Sequence, residues 1–199
     1  MKKILRISIF PFLVLLVAFN MKSVKPKVIV IDAAHGGQDS GSVYNDIIEK
    51  DIVLDVSKYL VGMNSQEVKF IPLRTDDSYI PLNERLLKID SINPDMVISL
   101  HIRLDANEEE MGVEAFVVEN TFYEKSKHLA SDILNSLTQE FIQTNKEIST
   151  SDEYLVTKVN KSPCVLLELG NISNENDREL LNNKEEQKDI ATAIYKAVK

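Results

Sequence analysis

One cysteine, Cys164, in 199 residues excludes an internal disulfide and any CxxC zinc site. Histidine is nearly as scarce: His35, His101 and His128 are all there are. A metal would have to be held by these few imidazoles together with carboxylates. Glycine and proline number six each, too few for a collagen-like or linker-like chain. Positive charge is in deficit, with 23 Lys and Arg against 31 Asp and Glu and a net charge of −8. A general nucleic-acid binder needs a basic face, so no nucleic-acid partner is expected. What remains, 44% hydrophobic and 27% charged residues, is the composition of one folded domain with one core.

The deficit is local. Residues 1–21 hold Lys2, Lys3 and Arg6 and no acidic residue, followed by the apolar run Ile7 to Phe19. That run is 13 residues long and contains Pro11. A spanning helix needs about 20 apolar residues, so the segment reads as an export signal. Leu16-Val17-Ala18-Phe19-Asn20 lacks a clear A-x-A cleavage pattern, which makes retention as an N-terminal membrane anchor the alternative. Residues 22–199 then form a single domain outside the cytoplasm, in the periplasm or cell envelope.

Along that domain, strand and helix patterns alternate. Lys27–Asp32, Val68–Leu73, Asp95–His101, Gly112–Val118 and Pro163–Leu169 are apolar, β-branched runs that predict strands. Glu49–Met63, Pro81–Ile92, Tyr123–Thr144 and Glu185–Val198 carry apolar stripes of helical period. Ala33–Asp46 is rich in Gly, Ser, Asp and Asn and reads as a loop, and Asn145–Val159 as a surface loop with a short helix. This alternation predicts an α/β fold, a three-layer sandwich with a largely parallel central sheet flanked by helices.

Ligands of open α/β sheets bind beyond the carboxyl ends of the strands. His35 follows the first strand, Glu49 opens the first helix, His101 ends the third strand, and Glu168 lies within the apolar run Val165 to Leu169. An ionisable group in such a run is costly unless paired or bound to metal. Each has a plainer reading. His35 and His101 can be hydrogen-bonded side chains of a turn and a strand end. Glu49 can be a carboxylate favoured by a helix N-terminus, and Glu168 half of a structural ion pair with Arg74 or Arg85. His128 falls on the polar side of a helix, and Cys164 reads as a small buried core residue.

Several words, in order, resemble the zinc-dependent N-acetylmuramoyl-L-alanine amidases (type 3 amidases), which cut the peptide stem from peptidoglycan. Val28 to Gly37 (VIVIDAAHGG) resembles the opening strand and DPGHGG turn, and Glu49-Lys50-Asp51 the EKD of the first helix. Ile98 to His101 resembles ISIH, and Val165 to Asn174 (VLLELGNISN) resembles VLVELGFLSN. Leu73 to Asp77 and Leu82 to Arg85 also resemble family words, so the likeness covers about residues 27–199. It implies that His35, Glu49 and His101 bind a Zn²⁺ cofactor. It also implies that Glu168 is the catalytic carboxylate and that peptidoglycan is the substrate.

The chain departs from that pattern at Ala33-Ala34, where the family has Pro-Gly. It departs again at Ile102-Arg103, where a small residue and then Asn or Asp are usual, and at Asn171, where an apolar residue is usual. Two residues beyond His101, Arg103 should face the same side of the strand, which suggests a guanidinium that holds a stem carboxylate. The departures motivate two rivals: a murein-binding or regulatory protein of weak turnover, and a related zinc peptidase. The four candidate functional residues are intact, which favours the active amidase.

Overall fold

The structure, a computed structural model, describes residues 25–140, 142–150 and 158–199. The segment 1–21 that reads as a leader or anchor lies outside the described residues. No helix among the described residues is long and apolar enough to cross a membrane.

The chain runs through β1 (Lys27–Ala33), the short β2 (Val43–Tyr44) and β3 (Ile47–Ile48), α1 (Glu49–Gly62), β4 (Val68–Pro72), α2 (Leu82–Ile92) and β5 (Met96–Arg103). It continues through β6 (Val113–Val117), α3 (Tyr123–Gln139), β7 (Thr144–Thr150), β8 (Cys164–Asn171), α4 (Glu175–Asn182) and α5 (Lys184–Val198). Six strands make one sheet in the order β4-β1-β5-β8-β6-β7. All neighbours pair in parallel except β6 and β8, which are antiparallel. The mostly parallel sandwich expected from the alternation is therefore present.

Because side chains alternate across a strand, each strand supplies two cores. Ile29, Ile31, Ile98, Leu100, Val165 and Leu167 face α1, α3 and α5 and form the large core. Val30, Val97, Cys164 and Leu166 face the other way, toward Leu73 and Ile89 of the α2 side. Each such side chain, fully buried, contributes about 1.5–3 kcal/mol. Toward the carboxyl ends of β5 and β8, where the antiparallel β6 begins, the second face turns polar: His101, Arg103, Glu114 and Glu168 replace the aliphatic residues.

Three stretches differ from the sequence expectation. The third helix ends at Gln139, not Thr144, because Ile142 turns into the core and bonds back to Leu137. Asn145–Thr150, expected as loop, forms with Thr144 an outer strand paired with β6, its polar sequence having no apolar alternation to mark it, while residues 151–157 of the expected loop with a short helix lie outside the described residues. Glu175–Asn182 is a helix that the periodicity did not single out, started by Asn174, whose side chain accepts from the Asp177 N–H.

A knot of buried polar groups ties the end of β8 to the loop between β5 and β6. Between the aligned pairs His101/Glu168 and Arg103/Asn171, β8 has one residue more than β5, a bulge containing Gly170. Gly170 has φ +153, and a Cβ there would sit 3.1 Å from the Asp177 carboxylate. That carboxylate accepts from the N–H groups of Asn171 and Gly112, both at 2.8 Å. Asn171 donates to the carbonyls of Asn107 and Glu110 and accepts from the Asp105 N–H. The polar residue at 171 thus holds the loop in place from a fully buried position.

Asp177→Ala should lower stability by roughly 2–6 kcal/mol in chemical denaturation, since it strands two buried backbone donors at about 1–3 kcal/mol each. A change under about 0.5 kcal/mol would show the knot to be dispensable.

Candidate metal centre and adjoining cleft

Three of the four sequence candidates meet at the carboxyl edge of β1 and β5. His35, Glu49 and His101 each offer a ligand atom, all within 4.8 Å of one another. Glu49 Oε1 lies 3.1 Å from His35 Nε2 and 3.2 Å from His101 Nδ1. Ligands about 2.0–2.1 Å from a tetrahedral ion are about 3.3 Å apart, which the two Glu49–histidine separations match.

Local structure explains how they converge. His35 sits just past β1 with φ +59, a left-handed conformation uncommon for a residue with a side chain. Ala34, by contrast, has no positive φ, so an alanine in place of the family's glycine is tolerated there. Two buried arginines hold the turn. Arg74 donates to the carbonyls of Ala33 and Ala34 at 2.9 and 2.8 Å. Arg85 donates to those of Ala33 and His35 at 3.0 and 2.6 Å. Arg85 is also ion-paired with buried Asp32, which accepts from Ser99. The structural partners proposed for Glu168 are thus committed to this turn.

Glu49 is the first residue of α1 and is buried. The β2–β3 hairpin brings Ser42 beside it, and the Ser42 N–H donates to Oε2 at 2.7 Å. The Ile102 N–H donates to Oε1 at 2.9 Å while the Ile102 side chain packs in the large core. Isoleucine at 102 therefore leaves the site undisturbed. Burial raises the Glu49 pKa, but hydrogen bonds from His101 and His35 outweigh it and hold the carboxyl well below its usual range. Burial lowers the His35 pKa, and Glu49 and Asp39 reverse that, leaving it raised. Both shifts mark a pocket that prefers a positive charge.

Sequence reasoning passed over the groups around the ligands. Asp39 Oδ1 lies 2.9 Å from His35 Nδ1, which turns Nε2 toward Glu49. Gly41 has φ +65, and a Cβ there would lie 2.5 Å from both Glu49 Oε2 and His35 Cδ2. Only the Asp four residues after His35 and the Gly two further on were visible, with nothing to tie them to the site.

Glu168 pairs with His101 in the parallel β5–β8 register and with Glu114 in the antiparallel β6–β8 register, so all three share one face. It is 9% exposed and borders a 450 Å³ cleft with Arg103, Asp105, Asn107, Glu110, Glu114 and Phe116. Arg103 is on the expected side of β5, with Nη1 bonded to the Gly112 carbonyl at 2.9 Å and 3.6 Å from Glu114 Oε1. His128 is exposed on α3, among residues from the opposite ends of the strands. Cys164 is buried, and burial pushes its thiol well up, as suits an inert core residue.

Comparison with known proteins agrees with this geometry. The family model described as N-acetylmuramoyl-L-alanine amidase matches residues 29–199. The uncharacterized protein YqiI of Bacillus subtilis is 34% identical over 176 residues, 88% of this chain and 84% of that one. N-acetylmuramoyl-L-alanine amidase LytC of the same organism is 30% identical over 172 residues, 85% of this chain but only 34% of LytC. Among solved structures, the CwlD amidase from Clostridioides difficile, in complex with the GerS lipoprotein, superposes with a TM-score of 0.77. It is 30% identical, and the match covers 86% of this chain and 96% of that one.

Asp39→Ala should weaken metal affinity about 10–100-fold, as expected when the group orienting a ligating imidazole is lost. Gly41→Ala should also weaken it, by crowding two ligands at once. Titration with a competing chelator measures both, and unchanged affinity in both variants would remove these residues from the site.

Proposed function

The chain belongs to the N-acetylmuramoyl-L-alanine amidase family, and on that premise we propose that it is a zinc-dependent hydrolase of peptidoglycan. The bond cut is the amide between N-acetylmuramic acid and L-alanine. The observation that carries the reading is the His35–Glu49–His101 cluster next to Glu168 on the same sheet face. Two imidazole nitrogens and one carboxylate oxygen are ordinary zinc ligands, and three protein ligands leave a position open for chemistry. Zinc bound there supplies Lewis-acid polarisation of the amide carbonyl and lowers the pKa of water toward about 7.

The protein's own groups do the rest. Glu49, ionised and held by two backbone N–H groups, fixes the two histidines about one carboxylate oxygen. Asp39 keeps His35 Nδ1 occupied. Glu168 takes the proton from the attacking water and delivers it to the nitrogen of L-alanine. That second transfer is needed because an amide anion is a very poor leaving group. Peptidoglycan lies outside the cytoplasmic membrane, so the proposal includes export of the chain to the cell envelope by residues 1–21, with or without retention as an anchor.

The rival of weak turnover drew on residues 102 and 103. The inward side chain of Ile102 and its N–H bond to Glu49 take away half of that motive. Mass analysis of products separates the amidase from a zinc peptidase: the amidase must free the amine of L-alanine and leave muramic acid intact.

Purified protein should bind one zinc per chain, and the double variant His35→Ala/His101→Ala should lose it, because one protein ligand would remain. Stoichiometric zinc in that variant, read by elemental analysis, would refute the site. Glu168→Gln should keep zinc and fold but lose turnover by about 10²–10⁴-fold on stem release from muropeptides. Near-normal rates would take Glu168 out of the mechanism.

A further inference from the structure

The turn after β1 is held at a second place besides the two arginines. Gly36 and Gly37 follow His35, and two consecutive glycines leave a backbone more freedom than any other pair. Their surroundings are narrow. A Cβ on Gly36, at φ +126, would collide with the Ser78 carbonyl oxygen, and one on Gly37, at φ +56, would lie 3.1 Å from Tyr79 Cβ. Glycine is what lets the turn lie against the segment Asp77 to Tyr79, but it supplies no side chain to keep the turn there.

Two side chains from other segments supply the tie. Asp77 Oδ1 accepts from the Gly37 N–H at 2.8 Å. Lys50 Nζ donates to the Gly37 carbonyl at 2.9 Å and to Asp77 Oδ2 at 2.7 Å. Both backbone groups of Gly37 are thus taken by one ion pair. Lys50 is only 15% exposed, follows Glu49 in the first turn of α1, and has its own carbonyl bonded by Arg74 at 2.8 Å. Hydrogen bonds from Lys50 and from the Gly37 N–H hold the Asp77 carboxyl below its usual range, so the pair stays charged. An ion pair at a surface adds little to stability by itself. This one matters for what the turn carries. Gly36 and Asp39 exchange backbone hydrogen bonds at 2.9 and 3.1 Å, and Asp39 Oδ1 meets His35 Nδ1. The place of Gly37 therefore governs where Asp39 points, and Asp39 sets the direction of His35 Nε2.

We propose that Lys50 and Asp77 are positioning residues of the metal centre: they fix Gly37 and, through Asp39, aim His35 at the ion. The inference rests on reading the His35–Glu49–His101 cluster as a zinc site, to which neither residue belongs as a ligand. Lys50 then serves two ligands at once. The turn of α1 that presents Glu49 also holds the loop that presents His35.

Zinc affinity of the full chain, measured against a competing chelator, separates position from charge by sign. Lys50→Met removes a positive charge next to a ligand, and charge alone would then tighten zinc binding. Positioning predicts the reverse, a Kd about tenfold weaker, the lower end of the effect of losing a group that orients a ligand. Asp77→Ala should weaken binding to a similar extent. The double variant restores the net charge, so charge alone would return the Kd to that of the unaltered protein, whereas positioning leaves it as weak as in the single variants. An equal or tighter Kd in Lys50→Met, or recovery in the double variant, overturns the proposal. Hydrogen exchange of the metal-free protein reads the turn directly. The Asp39 N–H, which bonds neither residue, should exchange about tenfold faster in either single variant while the amides of β5 keep their rates. An unchanged Asp39 rate overturns the proposal, and either variant suffices for that measurement if the other does not fold. Failure of the unaltered protein to bind zinc would overturn the zinc reading, while the Asp39 rate would still decide whether Lys50 and Asp77 fix the turn.

Discussion

Three consecutive carbonyls, those of Ala33, Ala34 and His35, end on two buried guanidiniums, and the rest of the site follows from that clamp. A turn leaving a buried strand must satisfy its backbone acceptors without water. Arg74 and Arg85 do this with fixed forks of donors, while Asp32 balances the charge of Arg85. The arrangement holds His35 in a left-handed conformation that costs of order 1–3 kcal/mol and would otherwise relax. With the backbone so held, Asp39 has only to orient the ring.

Glu49 transmits the same constraint to β5. One oxygen faces both imidazoles and the Ile102 N–H, and the other takes the Ser42 N–H, so a single carboxylate joins β1's turn, the hairpin, α1 and β5. The burial that would protonate an isolated carboxyl is overcome by these donors. The result is an anionic point between two imidazoles, an arrangement that suits a cation.

A second polar system, independent of the first, shapes the neighbouring cleft. Asp177 and Asn171 fasten β8's bulge and the acidic loop to each other, and the bulge separates Glu168 from Asn171 so that the one faces the cleft and the other supports its rim. Glu168 and the charged wall beside it therefore belong to one hydrogen-bonded unit.

How much of this was legible differs from residue to residue. Strands β1, β5 and β8 were readable because burial on both faces writes them as unbroken apolar runs, and α1 and α5 because one apolar stripe is enough to place a helix. The polar outer strand β7 was not, since its evidence is its hydrogen bonding to β6. His35, Glu49, His101 and Glu168 stood out as reactive groups at strand and helix ends or inside an apolar run. Arg74, Arg85, Asp39 and Asn171 did not show their roles, because each acts through a backbone or side-chain partner up to 66 positions away in sequence. The sequence alone determined the layer architecture and the residues able to do chemistry, for these depend on local hydrophobic pattern and side-chain type. Only tertiary structure decided which nitrogen faces Glu49, why an alanine is tolerated before His35, and that Arg103 stands beside an acidic cleft with one buried donor unpaired among the described residues. Those are matters of direction and distance between segments that meet only when the sheet is assembled.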